Sequence, residues 1–253
     1  MKLLFLGTGT STGVPQLGCD CSVCRSRDPR DVRLRASVVV TTDAGRKILI
    51  DCGPDFRYQA LKYRIGTVDA ILFTHEHFDH AWGLNEIRPL HQADLYAESR
   101  VLKCIQDTLP YIFSEHPYPG APELRLHRIE ADVEVEIAGE RVLPVRAMHM
   151  HLPVLGYRIG DFAYVTDISS ISEEEKENLR GLKVLVLGAL RKSEHPAHLK
   201  LDDALALAKE LDAGQTFFTH MSHDMGLHEE VDGELPERVR LAYDGLEVEW
   251  QGF

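Results

Sequence analysis

The sequence predicts a four-layer α/β sandwich, two β-sheets packed face to face with helices on the outer faces. Three observations carry that expectation. The strand candidates fall into two groups, and several are apolar throughout, as strands covered on both faces must be. Each group is interleaved with stretches of helical periodicity. Several apolar runs also end in His or Asp, so the polar chemistry collects where strands stop.

In the first half, strands are expected over 2–6, 37–41, 47–51, 70–74 and 93–96, and helices over 56–63, 80–90 and 99–108. The opening Met1-Lys2-Leu3-Leu4-Phe5-Leu6-Gly7 runs from a first strand into a glycine turn. Its apolar run is too short for the core of a signal peptide, so a cytoplasmic protein is expected. In the second half, strands are expected over 126–129, 133–137, 141–147, 154–159, 162–166, 184–187, 216–219 and 246–250. Gly160-Asp161 between two of them is a hairpin signal. A helix over 172–179 follows Ser170-Ile171-Ser172, which offers a cap, with Glu173, Glu174 and Glu175 in its first turn. A helix over 201–211 places Leu201, Ala204, Leu205, Ala208 and Leu211 on one core-facing stripe. No linker, repeat or low-complexity segment divides the chain, so residues 1–253 are expected to form one domain.

At 44% hydrophobic, this chain of 253 residues can bury a substantial core, and no apolar run approaches a membrane span. Forty acidic against 28 basic side chains leave a net charge of −12, which argues against a large nucleic-acid footprint. Arg25, Arg27, Arg30, Arg33 and Arg35 are concentrated locally, a pattern that fits a solvated loop better than a phosphate-facing patch. Five cysteines, an odd number, argue against a disulfide framework. Cys19, Cys21 and Cys24 have the spacing of a zinc knuckle, whereas Cys52 and Cys104 stand alone.

The most informative stretch is Thr74-His75-Glu76-His77-Phe78-Asp79-His80, directly after an apolar strand candidate. His75 and His77, two apart in extended chain, can meet one ion on the same side, and Asp79 with His80 can turn toward a second. Imidazole suits zinc, iron and manganese, and carboxylate widens the choice toward harder ions. Four further strand candidates end in potential ligands: Asp51, His149, Asp167 and His220. Any one alone would more often be a capping Asp or a hydrogen-bonded His.

Together these residues resemble the metallo-β-lactamase superfamily over nearly the whole chain, with its H-x-H-x-D-H signature complete at His75–His80. The resemblance implies the four-layer αββα sandwich of that superfamily. It also implies two divalent ions, zinc or manganese, one held by His75, His77 and His149 and the other by Asp79, His80 and His220. Asp167 would bridge them, and Asp51 would support the ligand loop without binding metal. An Asp at 167, where many true β-lactamases carry Cys, points toward hydrolases of phosphodiesters and thioesters. The opening Phe5-Leu6-Gly7-Thr8-Gly9-Thr10-Ser11-Thr12-Gly13-Val14-Pro15, the three cysteines that follow, and Leu152-Pro153-Val154-Leu155-Gly156-Tyr157 look like the PhnP group of phosphodiesterases. In that group the cysteines and a later histidine hold a separate structural zinc. His223 fits as the fourth ligand of a knuckle at about 19–24, with His228 as its competitor. The PqqB group shares the knuckle, so this feature leaves the substrate open.

The expected chemistry is hydrolysis of a small phosphodiester, such as a ribosyl 1,2-cyclic phosphate, by a hydroxide held between the two ions. Asp79 would orient the nucleophile and take its proton. His198, which corresponds by spacing to a catalytic His of the PhnP group, would protonate the leaving oxygen, with His195 and His151 as alternatives. The competing readings are a tRNA 3′-end endonuclease like RNase Z and a non-catalytic metal-binding domain on the same scaffold. Against the first stand the acidic balance and the lack of a long basic Gly/Pro-rich arm between 168 and 219; against the second, the complete ligand set. The expected partner is a small phosphodiester, with no membrane and no nucleic acid, and a homodimer is left open.

Overall fold

The computed structural model describes residues 1–251, so residues 252 and 253 of the expected domain lie outside the described residues. The first half contributes β1 (Lys2–Gly7), β2 (Ser37–Thr41), β3 (Lys47–Ile50), β4 (Ala70–Leu72), β5 (Gln92–Ala97) and β6 (Glu123–Arg128). The second contributes β7 (Val135–Ile137), β8 (Glu140–His149), β9 (Leu152–Ile159), β10 (Phe162–Val165), β11 (Val184–Gly188), β12 (Gln215–Thr219), β13 (Val239–Leu241) and β14 (Glu247–Glu249). One sheet runs β14-β1-β2-β3-β4-β5-β6 and the other β13-β12-β11-β10-β9-β8-β7. The last strand therefore crosses back to close the edge of the first sheet beside β1. The α-helices are α1 (Phe56–Lys62), α2 (Phe78–Ala81), α3 (Ser99–Thr108), α4 (Pro110–Phe113), α5 (Glu173–Glu177), α6 (Leu201–Leu211) and α7 (His228–Glu234).

The layers follow from the two-residue period of the strands. On β3, Ile48 and Ile50 point into the core between the sheets, where Leu3, Phe5 and Leu72 meet Leu155, Tyr157, Phe162, Tyr164 and Val186. Leu49, between them, points outward into a second cluster with Ile71, Phe73, Val101 and Ile105, which seats α3. The outer face of the other sheet, with Val145, Val165, Leu185 and Leu187, is covered by Leu201, Ala204, Leu207, Ala208 and Leu211 of α6. The expected four-layer sandwich therefore forms because apolar runs such as Lys47–Ile50 bury alternate side chains in two different layers. Leu207 takes the buried place expected for Leu205, which packs at the margin of the cluster.

The Gly160 hairpin forms as expected, with Gly160 at φ +57° and Ile159 opposite Phe162. Ser172 caps α5, its Oγ accepting from the Glu175 amide at 3.2 Å. The helix expected over 80–90 is instead two pieces, α2 and a 3₁₀ turn over Leu84–Leu90, parted at Trp82 and Gly83. The Gly83 amide leaves the helical pattern to donate to the Cys52 carbonyl at 2.7 Å, and Pro89 has no amide to give. The strand β13 and the short helices α4 and α7 were not expected, since three to seven residues carry too little periodicity to read. Among the described residues, no helix is long and apolar enough to cross a membrane.

Gly83 also marks a close approach. A Cβ there would lie 2.0 Å from the Gly53 carbonyl oxygen, whereas a Cβ on Gly66 would meet nothing within 4 Å. Gly83→Ala should therefore destabilise the protein by about 1–3 kcal/mol, the usual range for overpacking. Gly66→Ala should be close to neutral. Denaturant melts of the two variants check this, and equal stability would show that the loop moves aside without cost.

Candidate metal centre

Both sheets deliver their polar residues to the same edge. Strands β3 to β6 are mutually parallel, as are β10 to β13, and two antiparallel steps make β8 parallel to β10. The carboxyl ends of β3, β4, β8, β10 and β12 therefore face one crevice, the usual place for a site in sheets of this kind. Asp51, Asp167 and His220 sit just past strand ends with φ of 61°, 54° and 60°. Left-handed backbone at non-glycine positions costs roughly 1–3 kcal/mol each, and such strain clusters at functional sites. Here it turns the chain sharply as it leaves the sheet.

The structure brings these side chains to one place, although His149 groups with Asp167 and His198 and not with His75 and His77. The His75 and His77 rings lie 4.5 Å apart, and the His149 ring is 5.8 Å from the first and 5.2 Å from the second. His80 Nε2 is 3.1 Å from Asp79 Oδ2 and 3.3 Å from Asp167 Oδ2. His220 Nε2 is 3.2 Å from Asp167 Oδ1 and 3.4 Å from Asp79 Oδ2. Asp79, His80, Asp167 and His220 thus form one group within metal-binding reach, and Asp167 also belongs to a second group with His149 and His198. His198 lies as close to this centre as a ligand would, its ring 4.6 Å from that of His149 and 5.1 Å from that of His220.

The next layer of hydrogen bonds sets which ring nitrogens face inward. Asp51 is fully buried and accepts from the Thr74 amide at 2.9 Å, from Thr74 Oγ1, and from His80 Nδ1 at 2.7 Å. Thr74 Oγ1 in turn lies 2.9 Å from His75 Nδ1. His149 Nδ1 donates to the Ala197 carbonyl at 2.8 Å. Each contact leaves Nε2 toward the centre, the orientation metal-ligating histidines take. His75 Nε2 and His80 Nε2 are buried without a hydrogen-bond partner, which is costly unless an ion satisfies them. Thr74 and the Ala197 carbonyl were not anticipated. Only the position of Thr74 beside His75 hinted at a role.

The protonation states match a donor set. Burial, helped by neighbouring imidazoles, lowers His75 well below the usual histidine range and lowers His77 as well, leaving both neutral. Burial would raise Asp79 and Asp167, but the facing histidines hold both below the usual carboxylate range. Burial would likewise depress His80, but Asp167, Asp79 and Asp51 together raise it, as closely packed carboxylates do for any cationic partner. The neutral imidazoles of His75 and His77, the ionised carboxylates of Asp79 and Asp167 and the orphaned Nε2 atoms together fit a donor set for a pair of divalent ions.

A second group joins Cys19, Cys21, Cys24 and His223. His223 Nδ1 is 3.3 Å from Cys19 Sγ and 3.4 Å from Cys21 Sγ, whereas the rival His228 has its Nδ1 3.1 Å from Arg33. The Cys24 amide and His223 hold the Cys21 thiol down at about 6, and burial pushes the Cys24 thiol up to about 11. Three thiols and one imidazole fit a tetrahedral zinc. The arginines nearby are not a phosphate patch: Arg25 and Arg27 are exposed, as a solvated loop requires, while the others are tied into the fold. Arg33 is buried and donates to Thr8 Oγ1 and the Ala242 carbonyl, while Arg25, Arg30 and Arg35 pair with Asp20, Asp28 and Asp55.

Known proteins resemble this chain in sequence and fold. A family model described as a β-lactamase superfamily domain matches residues 46–221. The chain belongs to the metallo-β-lactamase superfamily. Within it, the resemblance is to the PhnP group: the crystal structure of a new diphosphatase from the PhnP family superposes with a TM-score of 0.92 at 42% identity, covering 99% of this chain and 98% of that one. A protein named octanoyltransferase from Porphyromonas gingivalis is 45% identical over 252 residues, covering 98% of this chain but 51% of the relative. The chain thus spans about half the length of that curated relative. Zinc-bound PqqB from Methylobacterium extorquens superposes with a TM-score of 0.84 at 19% identity, covering 99% of this chain and all of that one, a likeness of fold.

If the cysteine group holds a structural zinc, Cys21→Ser should release about one zinc per chain, by the four-ligand count of such a site, and lower the melting temperature. His223→Ala should do the same, while His228→Ala should keep the zinc. Metal analysis of the three variants decides, and unchanged zinc in Cys21→Ser would remove the knuckle.

Proposed function

We propose that this chain is a metal-dependent hydrolase of small phosphodiesters. The observation that carries the reading is the meeting of His75, His77, Asp79, His80, His149, Asp167, His220 and His198 at one edge. It is supported by the near-complete match to a relative described as a diphosphatase. Zinc or manganese would be held by His75, His77 and His149 on one side and Asp79, His80 and His220 on the other, with Asp167 between. Bound there, such ions supply an activated water and neutralise charge on the phosphate.

The chain's own groups would do the rest. Asp79, buried and ionised, would orient the attacking water and accept its proton. The half-buried ring of His198 would give a proton to the leaving oxygen. Burial lowers His198 to about 3, so the ring rests as a neutral imidazole; an anionic phosphate bound beside it would raise it again, and the imidazolium so formed would give the proton and return to the neutral ring. The exposed ring of His77 leaves the centre open to an entering substrate.

A second reading, cleavage of the P–O–P bridge in a diphosphate diester, is favoured by the description of the 42%-identical relative. The transferase name is not carried over, because it belongs to a protein about twice as long. An RNase Z-like activity is disfavoured by the net charge of −12 and by the pairing of Arg25, Arg30 and Arg35 with carboxylates.

The test is a screen of the metal-loaded protein against bis(p-nitrophenyl) phosphate, cyclic nucleotides, a ribosyl cyclic phosphate, a dinucleoside diphosphate and pre-tRNA. A small diester or diphosphate should exceed pre-tRNA in kcat/KM by a wide margin. Efficient site-specific cleavage of pre-tRNA would overturn the small-substrate reading. His198→Ala should lose roughly 10²–10⁴-fold on an alkyl diester, the usual worth of a general acid. It should lose much less on an aryl diester, whose phenolate leaves without a proton. Equal losses on both would remove His198 from the acid role.

A further inference from the structure

Arg100, in the first turn of α3, grips both segments that carry the His75, His77 and His149 rings. Side chains alternate along extended His75-Glu76-His77, so two rings turned to the metals leave Glu76 on the opposite side. There Arg100 Nη1 donates to Glu76 in a charge-assisted bond, while Nη2 donates to the Pro153 carbonyl at 2.7 Å. Pro153 lies in the β8–β9 hairpin, opposite Met148, and His149 is opposite Leu152 in the same register. Glu98, the residue just before α3, accepts two bonds from Arg146 of β8 at 2.8 and 2.5 Å. A chain of ionic side chains, Glu76–Arg100 and Glu98–Arg146, thus spans from one sheet's ligand loop to the other's ligand strand. The four side chains are between 19% and 35% exposed, so water screens them less than an ordinary surface pair.

We infer that Arg100 is a positioning residue that fixes the pair His75 and His77 relative to His149, and so sets the affinity of one active-site metal position. The inference rests on those three histidines sharing an ion. A backbone bond from the Leu155 amide to the Thr74 carbonyl at 3.0 Å already ties the same segments nearer the strand ends. The sheets therefore keep their register without Arg100, and Arg100 adds the orientation of the loop that carries the rings. Lysine is a poor substitute, because one ammonium cannot reproduce the planar fork that serves two acceptors at once.

The experiment is zinc titration of chelator-stripped protein against a chromophoric competitor, for wild type, Arg100→Ala, Arg100→Lys and Glu76→Gln. One active-site zinc should weaken by about 10–100-fold in Arg100→Ala, as for the loss of other groups that orient ligands. Arg100→Lys and Glu76→Gln should fall between it and wild type. The cysteine-bound zinc and the melting temperature of the stripped protein should stay near wild type. Unchanged zinc affinities in Arg100→Ala would overturn the inference, as would equal weakening of every zinc with a matching fall in melting temperature. A wild type that takes up no zinc beyond the cysteine site would fail earlier, overturning the metal-site reading itself.

Discussion

The buried carboxylate of Asp51 is the constraint around which the centre is arranged. It stands just past β3 in left-handed backbone and has no access to water. Burial raises its pKa, while His80 and the amide and hydroxyl of Thr74 pull the other way. A carboxyl group in such a place survives only if its hydrogen-bonding capacity is taken up, and Asp51 is served by Thr74 and His80 together. That requirement orients the His80 ring directly and, through Thr74 Oγ1, the His75 ring as well. One carboxylate thereby orients two inward-facing histidines.

The same economy recurs around the edge. Thr8 and Thr10 of the opening loop are sewn to Met221, the Met221 amide donating to the Thr8 carbonyl and the Thr10 amide to the Met221 carbonyl. The segment so held carries His220 at one end and His223 at the other, three residues apart. The cysteine group and the His/Asp centre therefore share one short loop. Behind it, Arg33, Thr8 and Asp244 form a buried chain, in which burial lowers Arg33 to about 10 and raises Asp244 to about 6. The N-terminal loop is thus fixed by polar contacts to segments some 200 residues away in sequence.

The sequence by itself determined the layers and the identity of the polar set. Apolar runs such as Ile48-Leu49-Ile50 can be satisfied only by burial on both faces, and the H-x-H-x-D-H stretch announces its donors by spacing alone. His149, Asp167 and His220 were legible because each follows an apolar run closely. What only the tertiary structure decided was everything that depends on distance across the chain. The choice of His223 over His228 turns on which histidine the closing loop brings to the cysteines. The broken helix after His80 comes from the Cys52 carbonyl reaching the Gly83 amide, a contact no local periodicity encodes. The burial of Arg33 and the grip of Arg100 on Glu76 and Pro153 are likewise invisible in a linear pattern. Local spacing records which groups a segment offers, whereas hydrogen bonds between distant segments exist only once the two sheets have packed.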